Sequence, residues 1–244
     1  MSKKLVLQVY VKLDDHTGHK RFTPVEDIYK LSEQQARKFA KKWDADYHQI
    51  TDTNYLPDKH PCFQRLKMYE MLEYDQILYL DMDAIVLPNC PNIFEFYSDH
   101  TFSAVRDAPW DKDQHFEEKR QLFNKVYGAK SDYRPFCSGV VLATKKFLEE
   151  TKDMWRQYVN SFDSSSNGIS GGHDQAILNK LVVEKYDGKY NELDEKWGPW
   201  YRNGKYIEHI GGPFGKKMFD LNKFSHKFGV TLEEKIENSL TEFM

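Results

Sequence analysis

The run Gln76-Ile77-Leu78-Tyr79-Leu80 leads straight into Asp81-Met82-Asp83, and the chain resumes at once with Ala84-Ile85-Val86-Leu87-Pro88. A short apolar run of this length reads as a buried strand rather than a helix. The acidic pair then stands at the tip of a central strand. Two carboxylates so placed repel each other and are costly to strip of water unless a cation joins them. The feature therefore calls for a sheet whose central strand ends in a metal site. Asp-x-Asp also occurs at Asp44/Asp46 and Asp111/Asp113. The first of these lies at a helix-to-strand turn, where Asp is an ordinary turn residue, and the second in a polar loop. Only Asp81/Asp83 has apolar chain on both sides.

The rest of the chain supplies the elements of such a sheet. Leu5 to Val11 reads as a buried first strand and Asp46 to Ile50 as a second; Thr101 to Val105 and Val140 to Ala143 read as two more. Between them the period changes to that of helices. Ser32 and Gln35 have the spacing of a capping box ahead of Ala36, Phe39, Ala40 and Trp43. Helical spacing recurs over Phe63 to Leu72, over Phe147 to Val159 with Trp155 on the apolar face, over Asp174 to Val183 and over Leu232 to Leu240. Alternating strands and helices predict an α/β fold: a Rossmann-like, mostly parallel sheet with helices on both faces, built as one domain over residues 1–244. Such sheets bind ligands at the carboxyl ends of their strands. Asp107, just past a strand, and Tyr10, at the end of the first, stand at such ends. The Ser/Gly-rich stretch 161–172 and the segment 108–135 read as lids.

Composition narrows the function. Lys and Arg number 35 against 38 Asp and Glu, a net charge of -3, so a generally basic nucleic-acid-binding face is not expected. No run of about 18 apolar residues predicts a membrane span. Met1 to Lys4 leads into the first strand without a signal-peptide block, so a cytoplasmic location is expected. Cys62, Cys90 and Cys137 are too few for a disulfide framework and are expected to be inert thiols. Aromatic residues make up 15%, and Trp110, Trp197 and Trp200 fall in loops, where they offer an acceptor platform or a cover for the core edge. Neither a Gly-x-Gly-x-x-Gly fingerprint nor a Walker A loop occurs. A carboxylate-bound divalent ion without those loops suggests an enzyme that handles a diphosphate through the metal.

The stretch from Lys67 to Leu87 resembles the core of glycogenin-like, family 8 type, retaining GT-A glycosyltransferases. Three later blocks are similar to that family in the same order. These are Phe136-Cys137-Ser138-Gly139-Val140-Val141-Leu142, then His173-Asp174-Gln175 through Asn179, then His209 through Gly212 to Lys216 and Lys217. Cys137 stands where the family usually has Asn, and the last Lys comes one residue late. The resemblance implies a GT-A fold and transfer of a hexose from a nucleotide diphosphate sugar, UDP-linked, to an acceptor hydroxyl with retention.

It also implies roles. Asp83, Asp81 and His209 form the metal set, and a site of oxygen plus imidazole favours manganese, with magnesium the alternative. Gly212 with Lys216 or Lys217 would clamp the phosphates. Lys67, Cys137, Asp107 and Tyr10 would touch the donor. Asp174 and Gln175 would stand at the anomeric carbon, although Asp174 is also an ordinary helix cap. The expected partners are a nucleotide-sugar donor and a carbohydrate or glycoconjugate acceptor; the oligomeric state is open. A sugar nucleotidyltransferase and a non-catalytic sugar- or metal-binding module are the rival readings. The first would want a basic Gly-rich loop after the first strand, which Lys12 to His19 does not match.

Overall fold

In the computed structural model, the residues described are 2–11, 26–98, 101–106, 128–130, 132–159, 173–198 and 204–209. Strands β1 (Lys4–Val9), β2 (Asp46–Ile50), β3 (Gln76–Leu80), β5 (Phe102–Arg106), β6 (Phe136–Thr144) and β7 (Asn191–Leu193) form a six-stranded sheet in the order β2-β1-β3-β6-β5-β7. β1 is parallel to β2 and β3, and β5 is parallel to β7; β6 alone runs against its neighbours β3 and β5. The sheet is thus mostly parallel. Every residue of β3 is buried, as its unbroken apolar run requires.

Strand alternation sorts the core into two faces. Leu5, Leu7, Ile77, Tyr79, Val141 and Ala143 pack on one side, against the 3-10 helix Pro61–Glu70 and the helices α3 (Lys145–Thr151), α4 (Trp155–Tyr158) and α5 (His173–Tyr186). Val6, Leu78, Leu80, Val140 and Leu142 pack on the other, beneath α1 (Glu26–Lys42) and α2 (Ile93–Phe96). Helices therefore cover both faces, with the pleat deciding which residue meets which. A separate ribbon pairs β4 (Ala84–Val86) antiparallel with β8 (Ile207–His209).

Three local expectations change, and the alternative left open for Trp197 is settled. Ser32 and Gln35 do not start α1, which is already helical at Glu26; both lie buried inside it. The segment expected as a helix over Phe63 to Leu72 is a 3-10 helix that begins on Pro61. The helix expected over Phe147 to Val159 breaks between Thr151 and Trp155. Thr151 turns its hydroxyl back onto the Phe147 carbonyl at 2.7 Å, a bond that competes with the helical ladder. Trp197 ends a 3-10 turn and is fully buried against Tyr97 and Tyr206, so it belongs to the core rather than to an acceptor platform. Asp44, with φ of 52°, does form the helix-to-strand turn. Among the described residues no helix is long and apolar enough to cross a membrane.

Candidate active site

β3 ends at Leu80, and Asp81-Met82-Asp83 turns at once into β4, closed by the Ala84 N–H donating to the Asp81 carbonyl at 2.9 Å. The β4–β8 pairing sets Ala84 opposite His209. This register is what carries a histidine from far along the chain to the acidic pair. Oxygens of Asp81 and Asp83 and a ring nitrogen of His209 lie within 4.8 Å of one another. His209 Nε2 stands 3.3 Å from Asp83 Oδ1 and 3.7 Å from Asp81 Oδ2. The His209 side chain is 1% exposed and that of Asp83 12%, whereas that of Asp81 is 28% exposed, so the cluster opens on the Asp81 side.

A strand irregularity makes room for it. β5 and β6 pair regularly up to Ala104 with Val141, but the next residue, Val105, meets Cys137. Ser138, Gly139 and Val140 are left out of that ladder, and Gly139 instead gives its carbonyl to the Asp81 N–H at 2.8 Å. Bulges of this kind re-aim backbone beside functional sites. A Cβ on Gly139 would collide with His209 Cε1, and would stand 2.7 Å from His209 Nε2 and 2.9 Å from Asp81 Oδ2. Only glycine leaves the space between imidazole and carboxylate open.

Two carboxylate oxygens and one imidazole nitrogen, largely buried and facing a gap that glycine preserves, fit a divalent cation of the manganese or magnesium kind. Behind the ring, Cys137 Sγ lies 4.0 Å from His209 Nδ1, so the nitrogen facing the carboxylates is Nε2. Burial acts to lower the imidazole pKa. The hydrogen bond to Asp83, the contact with Cys137 and the charge of Asp83 more than reverse that, and it lies well above the ordinary value.

The residue that ties this cluster to the next was not singled out from the sequence. Arg65, on the buried side of the 3-10 helix, donates from Nη2 to Asp81 Oδ1 at 3.0 Å and from Nη1 to the Ser138 carbonyl at 2.5 Å, and its Nε is paired with Asp174 Oδ2. Its guanidinium lies over the ring of Tyr79, 4.0 Å from the centroid, and the Tyr79 hydroxyl donates to the same Asp81 oxygen at 2.8 Å. Burial would lower the Arg65 pKa, but the charges of Asp174, Tyr79, Asp81 and Cys62 together outweigh it and hold the guanidinium ionised. Burial raises the Asp174 carboxyl pKa, Arg65 draws it back, and the net direction is upward.

Asp174 and Gln175 lie in the first turn of α5, which Gln175 and Asn179 fix to β6. Gln175 Oε1 accepts from the Ser138 N–H at 3.2 Å. One turn on, buried Asn179 accepts from the Phe136 N–H and donates to the Phe136 carbonyl, both at 3.1 Å. Lys67 is half-buried on the same 3-10 helix as Arg65; the cation of that helix that reaches the carboxylates is Arg65. Tyr10 sits just beyond β1 with its ring 5.4 Å from that of Tyr29. The three cysteines are free, as expected, but two adjoin the site: Cys137 behind His209, and Cys62, whose thiol lies 3.0 Å from His60 Nδ1 and is pushed up in pKa by burial and by the charge of Asp174. Asp107, Asp111, Asp113, Trp110, Trp200, Gly212, Lys216 and Lys217 lie outside the described residues, as do the 161–172 stretch, most of the 108–135 segment and the helix expected over 232–240.

The sequence profile described as glycosyl transferase family 8 matches residues 13–212, well over half of the chain. Among solved structures, a galactosyltransferase, LgtC, in complex with donor and acceptor sugar analogues is similar at 13% identity and a TM-score of 0.52, covering 93% of this chain and 96% of that one. A glycosyltransferase involved in glycosylation of the major capsid of PBCV-1 is similar at 14% identity and a TM-score of 0.51, covering 80% and 83%. At these identities the likeness establishes the fold, which is GT-A. No curated protein sequence matches significantly.

Proposed function

Because this chain belongs to glycosyl transferase family 8 and so transfers sugar from a nucleotide sugar, we propose that it moves a hexose from a UDP-linked donor to an acceptor hydroxyl, with retention, at the cluster around Asp81. The observation that carries this reading is the convergence of Asp81, Asp83 and His209 beside the Arg65–Asp174 pair. One group of residues suits a metal-bound diphosphate; the adjoining group suits a sugar.

Asp81, Asp83 and His209 would hold manganese, or magnesium in its place. Such an ion, when bound, neutralises the diphosphate and stabilises it as a leaving group. Arg65 sets the geometry of both halves, since its fork holds one oxygen of Asp81 and one of Asp174 at once. Asp174 is thereby engaged as a buried carboxylate, which suits it to receive a sugar hydroxyl rather than to attack carbon. Gln175, with its carbonyl oxygen on the Ser138 N–H, presents its amide beside it. Retention would then rest on attack from the leaving-group face rather than on Asp174 as a nucleophile. Lys216 and Gly212 on the phosphates, and Asp107, Tyr10 and Lys67 on the donor, complete the proposed site within a single catalytic domain; Cys137, expected on the donor, is instead buried behind His209 and backs its ring.

The test is a panel of UDP- and GDP-sugars with manganese, read by thermal shift and then by transfer or slow hydrolysis. A UDP-sugar should raise the melting temperature, because a ligand that binds only the native state stabilises it. Hydrolysis should vanish in Asp83→Ala. Full activity in that variant, or in chelator, would overturn the metal assignment.

A further inference from the structure

Gln8 in β1 and Ser32 in the interior of α1 are both wholly buried. Apolar side chains surround them: Val6 on the same strand face and Ala36 one turn further along the helix belong to the core. A buried amide or hydroxyl is costly unless its hydrogen bonds are met. Here they are met in one place, under the turn that carries the acidic pair. Gln8 Nε2 donates to Ser32 Oγ at 3.0 Å and to the Asp81 carbonyl at 3.4 Å. Ser32 Oγ donates to the Ala84 carbonyl at 2.8 Å. The Tyr47 hydroxyl donates to Gln8 Oε1 at 2.9 Å, fixing the amide from the far side. Gln49 Nε2 reaches Met82 Sδ at 3.6 Å.

The two carbonyls that bracket Met82-Asp83 are thus gripped from below by side chains on two other elements. The turn's own bond from Ala84 to Asp81 and the Asp81 N–H bond to Gly139 hold it from within and from β6; Gln8 and Ser32 add the hold from β1 and α1. We infer that Gln8 and Ser32 are positioning residues of the metal site, a buried brace that sets how Asp81 and Asp83 approach the cation and joins α1 to that turn. This rests on the proposed metal role of Asp81 and Asp83. It also explains why Ser32 with Gln35 has the spacing of a cap without being one.

The test is the affinity of the full chain for manganese alone, by titration calorimetry or by electron paramagnetic resonance of free ion. Ser32→Ala and Gln8→Met each remove hydrogen bonds at little change of volume. Each should weaken manganese binding on the order of tenfold to a hundredfold, the usual effect of losing an outer partner of a metal site. The double variant should lose less than the product of the two, since both act through one network. Thr151→Val removes different buried bonds, to Tyr69 and to the Phe147 carbonyl, neither of which touches the acidic turn. It should lower the melting temperature and leave manganese affinity unchanged, which separates bracing from general destabilisation. If Gln8→Met fails to fold, Ser32→Ala decides the question. Wild-type affinity in folded Ser32→Ala overturns the brace while leaving the metal reading intact. Absence of manganese binding by the wild type overturns both.

Discussion

Arg65 and Asp174 form an ion pair with both side chains almost wholly buried, and the same guanidinium holds Asp81 through its other arm. A fully desolvated pair of this kind is expensive to break from one side, because the partner is left charged and alone. Arg65→Ala should therefore destabilise the fold by about 3–5 kcal/mol, measured by urea unfolding. Arg65→Lys keeps the charge but has no fork with which to hold Asp81, Ser138 and Asp174 together. It should stay folded and lose at least about a hundredfold in kcat, in line with the effect of misplacing reacting groups by an ångström. Near wild-type turnover in Arg65→Lys would show that only the charge matters. A double-mutant cycle with Asp174→Asn isolates the coupling between the two residues.

Gly139 gives a sharper geometric test. Its missing Cβ is the space between His209 and Asp81. In Gly139→Ala the methyl group has to push the imidazole or the carboxylate aside. We expect manganese binding to weaken by more than about tenfold, with a far-UV spectrum unchanged, since overpacking of this kind costs about 1–3 kcal/mol and is felt locally. Unaltered manganese affinity in Gly139→Ala would mean that the ion does not use this gap.

The pH dependence follows from His209. Its pKa in the fold is well above the ordinary value, so the folded protein holds the proton more tightly than the unfolded chain does. That contribution to stability is fully present below the unfolded value and is lost as pH rises through the folded one. In chelator, the melting temperature should fall from about neutral pH upward, and His209→Gln should flatten the fall. Manganese competes with the same proton, so the rise in melting temperature that it produces should grow with pH. A metal shift that shrinks from pH 6.5 to 8.5, a range set by the ordinary histidine value, would contradict the ligand role of His209.

The central strand and its acidic tip were legible because they depend on local pattern alone: an apolar run of strand length with charge at one end. The positions of β1, β2, β3, β5 and β6 along the chain followed from local pattern as well, but their order in the sheet did not. His209 was found through its similarity to a family block, and the β4–β8 register gives the physical reason it arrives at the site. Arg65 was not legible. It and Lys67 sit two residues apart on one short helix, so they face different ways, and nothing local says which is turned inward. Tertiary contacts with Asp81, Ser138 and Asp174 decide that. Ser32 misled for the related reason that a serine ahead of an apolar periodic run looks like a cap, while its hydroxyl is in fact claimed by a carbonyl distant in sequence.

The order of binding at the site supplies the last prediction. If the cation at Asp81, Asp83 and His209 mediates the hold on a diphosphate, UDP should stabilise the protein only when the metal is present. At UDP about a hundredfold above its dissociation constant the gain is about 2.7 kcal/mol, a shift easily read in a thermal melt. Chelator should abolish that shift, and Asp83→Asn should abolish it with the same side-chain volume and without the charge. Uridine lacks the phosphates and should give a small shift that is indifferent to manganese. An equal UDP shift with and without metal would place the phosphates on protein groups alone, and would move the role of Asp83 from ion binding to the shape of the turn.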